Sequence, residues 1–138
     1  MTDSSKLAKM ALESGAIRLN PEKPFTWASG YKMPIYNDNR LLLGKAEYRS
    51  FISQIFSKFS EVSVNKAEVI AGTATAGIPH ATTLADRLSK PLIYVRATTK
   101  SHGMGNQIEG PLVTGQKVLL IEDLISTGGS AINAVNAI

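Results

Sequence analysis

Two adjacent carboxylates, Glu122 and Asp123, stand between an apolar run and a stretch of hydroxyl residues and glycines. The apolar run, 118–121, is four consecutive aliphatic residues and predicts a strand buried on both faces of a parallel sheet. The acids then fall at the carboxyl end of that strand, the edge where open α/β sheets bind ligands. Carboxylates placed there accept hydrogen bonds from vicinal hydroxyls or hold a hydrated metal ion.

The residues that follow suit an anion. Ser126-Thr127-Gly128-Gly129-Ser130 brings hydroxyl donors and two glycines to the start of a helix predicted from about Ser130, where several N–H groups can face one anion. An ordinary helix cap is the alternative, because the same residue types favour turns and N-caps. The neighbouring acids favour a ligand site, since carboxylates at a buried edge are costly without partners. The pattern predicts a ligand with a diol and a terminal phosphate, such as a phosphorylated sugar.

A second turn of small residues, Gly72 to Gly77, follows a predicted strand at 69–71. Its backbone amides and the threonines Thr73 and Thr75 can face a second anionic group. A tight strand-to-helix turn without any ligand would have a similar sequence. The turn therefore gains its meaning from the acidic pair one crossover later.

The segment from Ala97 to Gly110 is long, polar and rich in glycine, which is typical of a mobile surface loop or a functional lid. Arg96, Lys100 and His102 place three potential cations within seven positions, a set that suits closure over a polyanion. The other histidine, His80, has no acid or cysteine at ligand spacing, and we interpret it as structural.

The remaining pattern predicts a single α/β domain without internal repeats or linkers. Apolar spacing predicts an N-terminal helix that ends at Gly15 and an amphipathic helix over 45–59. Further elements are expected as short strands at 25–27 and 33–36, buried strands at 92–95 and 118–121, and a helix over 78–88. A strand, a helix and a second strand in this order imply a right-handed parallel unit.

Composition narrows the class of protein. The chain has 138 residues, a net charge of +4 and no cysteine, so disulfides and thiolate chemistry are excluded. The basic residues are scattered, which argues against nucleic-acid binding. No signal-peptide core and no apolar stretch of about 18 residues occur, so we expect neither secretion nor a membrane span. These observations favour a cytoplasmic enzyme.

Four separated segments carry a resemblance to a known family. They are Phe25-Thr26-Trp27-Ala28-Ser29-Gly30, Gly72 to Pro79, Arg96 through Lys100-Ser101-His102-Gly103 to Gly110, and Ile121 to Ser130. The last of them resembles the phosphoribosyl-diphosphate signature of type I phosphoribosyltransferases, and the set resembles the orotate phosphoribosyltransferases in particular. Together the segments extend over nearly the whole chain.

The resemblance implies a fold and a reaction. The fold would be a mostly parallel sheet flanked by helices, in one phosphoribosyltransferase domain over 1–138, with a hood segment over 1–40 and a core over 41–138. The reaction would be transfer of the phosphoribosyl group from 5-phosphoribosyl 1-diphosphate to orotate, giving orotidine 5′-phosphate and diphosphate in pyrimidine (UMP) biosynthesis. Mg²⁺ would be held mainly by the substrate, with possible help from Glu122 and Asp123.

The resemblance also assigns roles. Glu122 and Asp123 would hold the ribose hydroxyls, and the 5′-phosphate would lie against Ser126, Thr127, Gly128, Gly129 and Ser130. Leu124 and Ile125 would also contact the sugar diphosphate. The diphosphate would contact Thr73, Ala74, Thr75, Gly77, Arg96, Lys100 and His102. Catalysis would depend on Lys100, His102 and Asp123, with the loop reaching into the partner's site of a homodimer. Orotate would contact Ser126, Ile35 and Tyr36.

Some features depart from the family. Ala28, Ala76 and Ala97 stand where some members carry lysines that touch phosphates, and Met33 stands where serine is common. The helix predicted over 131–138 has no stop signal, so the sequence looks truncated at its C-terminal end relative to the family. Two other functions stay open: a phosphoribosyl-diphosphate-sensing regulator without catalysis, and a purine phosphoribosyltransferase.

Overall fold

A computed structural model describes residues 2–27, 29–58, 61–98 and 106–138. The chain divides into two compact units, Met1–Arg49 and Ser50–Ile138. The boundary expected near residue 40, between hood and core, stays a prediction. In the part of the chain that the structure describes, no helix has both the length and the apolar character that crossing a membrane requires.

The first unit begins with helix α1, Asp3–Glu13, as predicted. The Thr2 hydroxyl accepts a hydrogen bond from the Ser5 amide at 3.2 Å and caps the helix, and Gly15 follows its end with a φ of +74°. Four short strands come next: β1 (Ile17–Leu19), β2 (Phe25–Thr26), β3 (Lys32–Met33) and β4 (Ile35–Asn37). A 3-10 helix, Asn39–Gly44, follows, and helix α2, Ala46–Lys58, begins in the first unit and continues in the second.

One strand prediction in this unit is wrong. A single strand was expected over 33–36, but Pro34 separates β3 from β4. Proline has no N–H to give to a ladder, and the two strands pair with different partners: β3 is antiparallel to β2, and β4 is antiparallel to β1. β1 was not predicted because three residues are too few to display an alternating pattern.

The second unit contains helix α3 (Glu61–Lys66), strand β5 (Val69–Thr73), helix α4 (Gly77–Leu88), strand β6 (Leu92–Val95), strand β7 (Ile108–Glu109), strand β8 (Val118–Ile121) and helix α5 (Gly129–Ala137). The sheet has the order β7-β6-β5-β8. β6, β5 and β8 are parallel, and β7 is antiparallel to β6. The predicted α/β class with a mostly parallel sheet is confirmed.

Alternate residues of β5 enter two apolar clusters, as the period of a strand requires. Ile70 packs with Ala81, Leu84 and Ala85 of α4 and with Ile121. Val69 and Ala71 join a second cluster, which contains Ile93 and the half-buried side chains Ile108, Leu112, Val118 and Leu120. β5 is therefore buried along its whole length and forms the rigid centre of the unit.

Two other expectations need correction. β8 was predicted to be fully buried, but only Ile121 is, because in the described sheet β8 has a partner on one side only. The segment 97–110 was predicted as a loop, yet its described end forms strand β7, which pairs with β6 through Tyr94 and Val95. A two-residue strand at the end of a polar segment carries no pattern of its own.

Candidate active site

The carboxyl ends of β5, β6 and β8 bring the predicted site segments of the second unit to one edge of the sheet. Gly72 of β5 lies opposite Ile121 of β8, and Thr73 lies opposite Val95 of β6. The turn after β5, the start of the 97–110 segment and the acidic pair after β8 are therefore neighbours. The expected placement of Glu122 and Asp123 at this edge is confirmed.

Glu122 links two of these segments through its carboxylate. Its Oε1 accepts a hydrogen bond from the Thr73 hydroxyl at 2.7 Å and one from the Asp123 amide at 3.2 Å. Its Oε2 accepts a hydrogen bond from the Ser130 hydroxyl at 2.8 Å. Thr73 is 4% exposed, so its side chain is fixed by packing. The carboxylate thus joins the turn after β5 to the first turn of α5.

Gly77 lets the turn after β5 lie close to β8. A Cβ added to Gly77 would lie 2.7 Å from the backbone oxygen of Ile121 and would also overlap the Thr73 hydroxyl. Any side chain at this position would push the start of α4 away from β8. The peptide bond between Ala74 and Thr75, in the middle of the turn, is cis.

The segment Leu124 to Ser130 connects the acids to α5 and is mostly exposed. Gly128 adopts a left-handed conformation with a φ of 84°, and α5 begins at the next residue without a hydrogen bond from a capping side chain. The first N–H groups of a helix have no partner within it, and this end carries the positive pole of the helix dipole. The sequence and backbone here suit an anion.

Arg96 lies directly after β6, and its backbone is hydrogen-bonded to Gln107, the residue before β7. Its backbone N–H donates to the carbonyl of Gln107 at 2.9 Å, and the Gln107 amide returns a bond of 2.9 Å to the Arg96 carbonyl. The guanidinium lies 3.6 Å from a carboxylate oxygen of Glu109, and its buried Nε has no hydrogen-bond partner. The expected diphosphate ligand is therefore paired with an acid in this structure.

A cavity of about 40 Å³ lies beside this arginine. Thr73 and Ala74 line one side of it, and Ser130 and Asn133 of α5 line the other. By volume it holds a few waters and no larger group. The Asn133 amide also donates a 2.9 Å hydrogen bond to the carbonyl of Ala97, which ties α5 to the start of the 97–110 segment.

The other two predicted cations, Lys100 and His102, lie outside the described residues, as does Ala28. Their assigned roles stay predictions. In the ranges that the structure describes, no group of three or more histidine, cysteine, aspartate or glutamate side chains could hold a metal ion.

Ile35 and Tyr36, predicted to contact the base, belong to β4 of the first unit. The rings of Tyr36 and Phe25 are 5.6 Å apart, and the Arg18 guanidinium lies 5.0 Å from the centre of the Tyr36 ring. The Trp27 indole donates a 2.9 Å hydrogen bond to the Ile35 carbonyl. Sequence reasoning missed Arg18, which lies opposite Tyr36 in the β1–β4 ladder. Recognition of β1 as the partner of β4 would have found it.

His80 is 5% exposed and meets the edge of the Phe56 ring at a centroid distance of 6.5 Å. Burial lowers the pKa of its imidazole below the usual value, because the charged form loses its hydration. These surroundings agree with the structural role predicted from the sequence.

Comparison with known proteins agrees with this geometry. The family model described as "Phosphoribosyl transferase domain" matches residues 39–138. The orotate phosphoribosyltransferase of Listeria innocua is 53% identical over 138 residues, which are all of this chain and 66% of that protein. The chain thus spans slightly less than two thirds of this curated relative.

Solved structures give the same result. The orotate phosphoribosyltransferase of Aeropyrum pernix is 33% identical, with a TM-score of 0.80 over 95% of this chain and 72% of its own. That of Mycobacterium tuberculosis, solved in complex with 5-phospho-alpha-D-ribosyl 1-diphosphate, is 27% identical, with a TM-score of 0.70 over 99% of this chain and 74% of its own. The chain therefore belongs to the phosphoribosyltransferase family, and within it to the orotate phosphoribosyltransferases.

Proposed function

We propose that this protein transfers the phosphoribosyl group from 5-phosphoribosyl 1-diphosphate to orotate, releasing diphosphate and forming orotidine 5′-phosphate in pyrimidine (UMP) biosynthesis. The observation that carries the proposal is the meeting of three segments at one sheet edge: the acids Glu122 and Asp123, the turn that contains Thr73, and the glycine-rich start of α5. The M. tuberculosis relative, which was solved with the sugar diphosphate, supports the choice of donor.

Each part of the donor finds a matching chemical group. The 5′-phosphate binds the segment from Ser126 to Ser130, where exposed N–H groups and hydroxyls meet the positive end of α5. The ribose hydroxyls donate hydrogen bonds to the acidic pair, because ionised carboxylates only accept them. The diphosphate binds the turn Thr73 to Gly77, in which Thr73 donates to one oxygen of the Glu122 carboxylate while Ser130 donates to the other.

The reaction breaks the bond between the anomeric carbon and the diphosphate oxygen. A ring nitrogen of orotate forms the new bond to that carbon, and the proton of that nitrogen is released to solvent. Positive charge develops on the ribose and negative charge on the leaving diphosphate, so no protein nucleophile is required. The protein accelerates the step by stabilising the leaving anion and excluding water. Arg96, Lys100 and His102 supply cations for that anion, and the diphosphate competes with Glu109 for the Arg96 guanidinium.

Mg²⁺ fits this arrangement as an ion carried by the substrate. The donor set at the edge consists of hard carboxylate oxygens, which suit Mg²⁺, but it is too small to form a site made entirely of protein ligands. When bound, the ion neutralises charge on the diphosphate and makes it a better leaving group. Asp123 is the carboxylate that would approach it.

We propose that orotate contacts Ile35 and Tyr36. The Trp27 bond to the Ile35 carbonyl and the aromatic contact of Tyr36 with Phe25 stiffen this short strand, which supports its use as a recognition surface. We further propose that the protein acts in the cytoplasm as a homodimer in which the segment carrying Lys100 and His102 serves the partner's site.

The test follows the loss of orotate absorbance with 5-phosphoribosyl 1-diphosphate and magnesium. Wild-type protein should consume orotate. Asp123→Asn should raise the KM for the sugar diphosphate by about ten- to a hundredfold, since hydrogen bonds to a charged group contribute about 1.5–3 kcal/mol. Glu68→Gln is the matched control, because Glu68 accepts a hydrogen bond from the Lys117 amide at the opposite end of the same strand pair.

The same assay separates the alternatives. If the protein bound the sugar diphosphate but consumed no base, it would be a sensor of that compound and not an enzyme. Consumption of adenine or hypoxanthine in preference to orotate would identify a purine phosphoribosyltransferase. Equal activity of wild type and Asp123→Asn would contradict the assigned site.

A further inference from the structure

The carboxylate of Glu122 is already engaged by the protein. Oε1 accepts from the Thr73 hydroxyl at 2.7 Å and from the Asp123 amide at 3.2 Å, and Oε2 accepts from the Ser130 hydroxyl at 2.8 Å. A carboxylate oxygen offers about two lone pairs. Oε1 is therefore filled and is anchored to the buried Thr73, whereas Oε2 accepts from Ser130 and can take one more donor.

The two hydroxyls belong to different anion-binding segments. Thr73 is the last residue of β5 and begins the turn Thr73 to Gly77, here called the diphosphate turn. Ser130 lies in the first turn of α5 and ends the segment Ser126 to Ser130, here called the 5′-phosphate segment. Ser130 is the second residue of its helix and so does not cap it; its hydroxyl reaches back to Glu122 instead. Glu122 therefore contacts both segments.

The donor has fixed dimensions, because its phosphate and diphosphate are attached to one ribose ring. Two anion sites bind such a ligand well only when their separation matches it before the ligand arrives, since loops that must be ordered on binding cost affinity. A hydrogen-bonded strut between the two loops would set that separation.

We propose that Glu122, besides belonging to the acidic pair that accepts hydrogen bonds from the ribose hydroxyls, has a positioning role. Through Thr73 and Ser130 it holds the diphosphate turn and the 5′-phosphate segment at the spacing of the sugar diphosphate. This inference rests on the proposed function and adds a second role to one member of the acidic pair. It makes Glu122 necessary for binding anions that carry no sugar.

If Glu122 had no positioning role, electrostatics predicts that removing its carboxylate would not weaken anion binding. A carboxylate near a bound anion repels it, so removal of the negative charge alone should leave anion affinity unchanged or raise it. Loss of a strut should lower the affinity, because the loops then sample other separations. The sign of the change distinguishes the two.

The experiment measures binding of inorganic diphosphate without magnesium by calorimetry to the whole chain. Glu122→Ala should weaken binding at least fivefold. Glu122→Gln should recover part of the loss, because the amide can accept from Thr73 and donate to the Ser130 oxygen. Ala and Gln remove the same charge, so their difference reports the hydrogen bonds and packing of the side chain and not its charge.

Controls keep the outcomes distinct. Glu68→Gln should bind diphosphate as wild type does, and thermal unfolding of each variant verifies that it is folded. Diphosphate binding by Glu122→Ala at the wild-type affinity or tighter, or identical losses in Ala and Gln, would overturn the inference while the proposed function stands. Wild-type protein that binds neither diphosphate nor the sugar diphosphate would refute the proposed function and the strut with it.

Discussion

The contact between β5 and α4 gives a quantitative prediction at Gly72. A Cβ added there would lie 2.9 Å from the Cβ of Ala81 and 2.9 Å from the Cα of Ile78. Carbon atoms prefer a separation of about 3.5–4.0 Å. Neither obstructing atom can rotate away, because one is backbone and the other is the only side-chain atom of an alanine. Gly72→Ala must therefore move α4 off the strand that it covers.

Overpacking of a core typically costs about 1–3 kcal/mol, and two rigid contacts place this site near the upper end of that range. Replacing glycine also restricts the unfolded chain, which returns about 0.4–1 kcal/mol. We expect a net loss of about 2 kcal/mol in the free energy of unfolding, or a drop of roughly 6–10 °C in Tm for a chain of this length.

Urea unfolding followed by circular dichroism measures the loss. Gly44→Ala is the control, because a Cβ there would meet nothing within 4 Å. It should keep or slightly raise the wild-type stability. If Gly72→Ala were as stable as Gly44→Ala, the close packing of α4 on β5 would be refuted.

Three further results are expected. Burial lowers the pKa of His80, so the unfolded chain takes up a proton near pH 6.5 while the folded chain does not, and the free energy of unfolding should fall as the pH drops below about 6.5. In urea titrations between pH 7.5 and 5, His80→Leu should make this free energy less dependent on pH. Equal pH dependence in wild type and variant would contradict the prediction. Arg87→Lys should lower the free energy of unfolding, measured in urea, by about 1 kcal/mol, because lysine cannot reproduce the guanidinium hydrogen bonds to Ser53 and to the backbone of α2. Unchanged stability would show that those hydrogen bonds are unimportant. Trp27→Phe removes the hydrogen-bond donor to the Ile35 carbonyl. It should raise the KM for orotate about fivefold and leave the KM for the sugar diphosphate unchanged. Equal changes in both KM values would argue against binding of the base at β4.

The core elements could be predicted from the sequence because their signals are local. The aliphatic runs at 92–95 and 118–121 and the three-to-four spacing over 45–59 each depend on neighbours within one element. The predicted α/β class and the position of the acids at the carboxyl edge followed from them. The short strands could not be predicted in the same way, because β1 and β7 are defined by their partners.

The chemistry of the candidate site could likewise be predicted from residue types, but the contacts between its side chains could not. Carboxylates after a strand, followed by hydroxyls and glycines, indicate a diol and a phosphate in any fold that places them at a sheet edge. That Glu122 accepts from Thr73, 49 positions away, and that Arg96 pairs with Glu109, depend on which segments the sheet brings together.

The sequence by itself thus determined what kinds of group are present, in what order, and at which ends of which major elements. The tertiary structure alone decided which oxygen meets which hydroxyl, how close α4 comes to β5 and β8, and where Pro34 divides two strands. The physical reason is range: strand period, helix period and turn chemistry act over a few residues, whereas hydrogen-bond partners and steric limits such as those at Gly72 and Gly77 arise between residues that only folding makes neighbours.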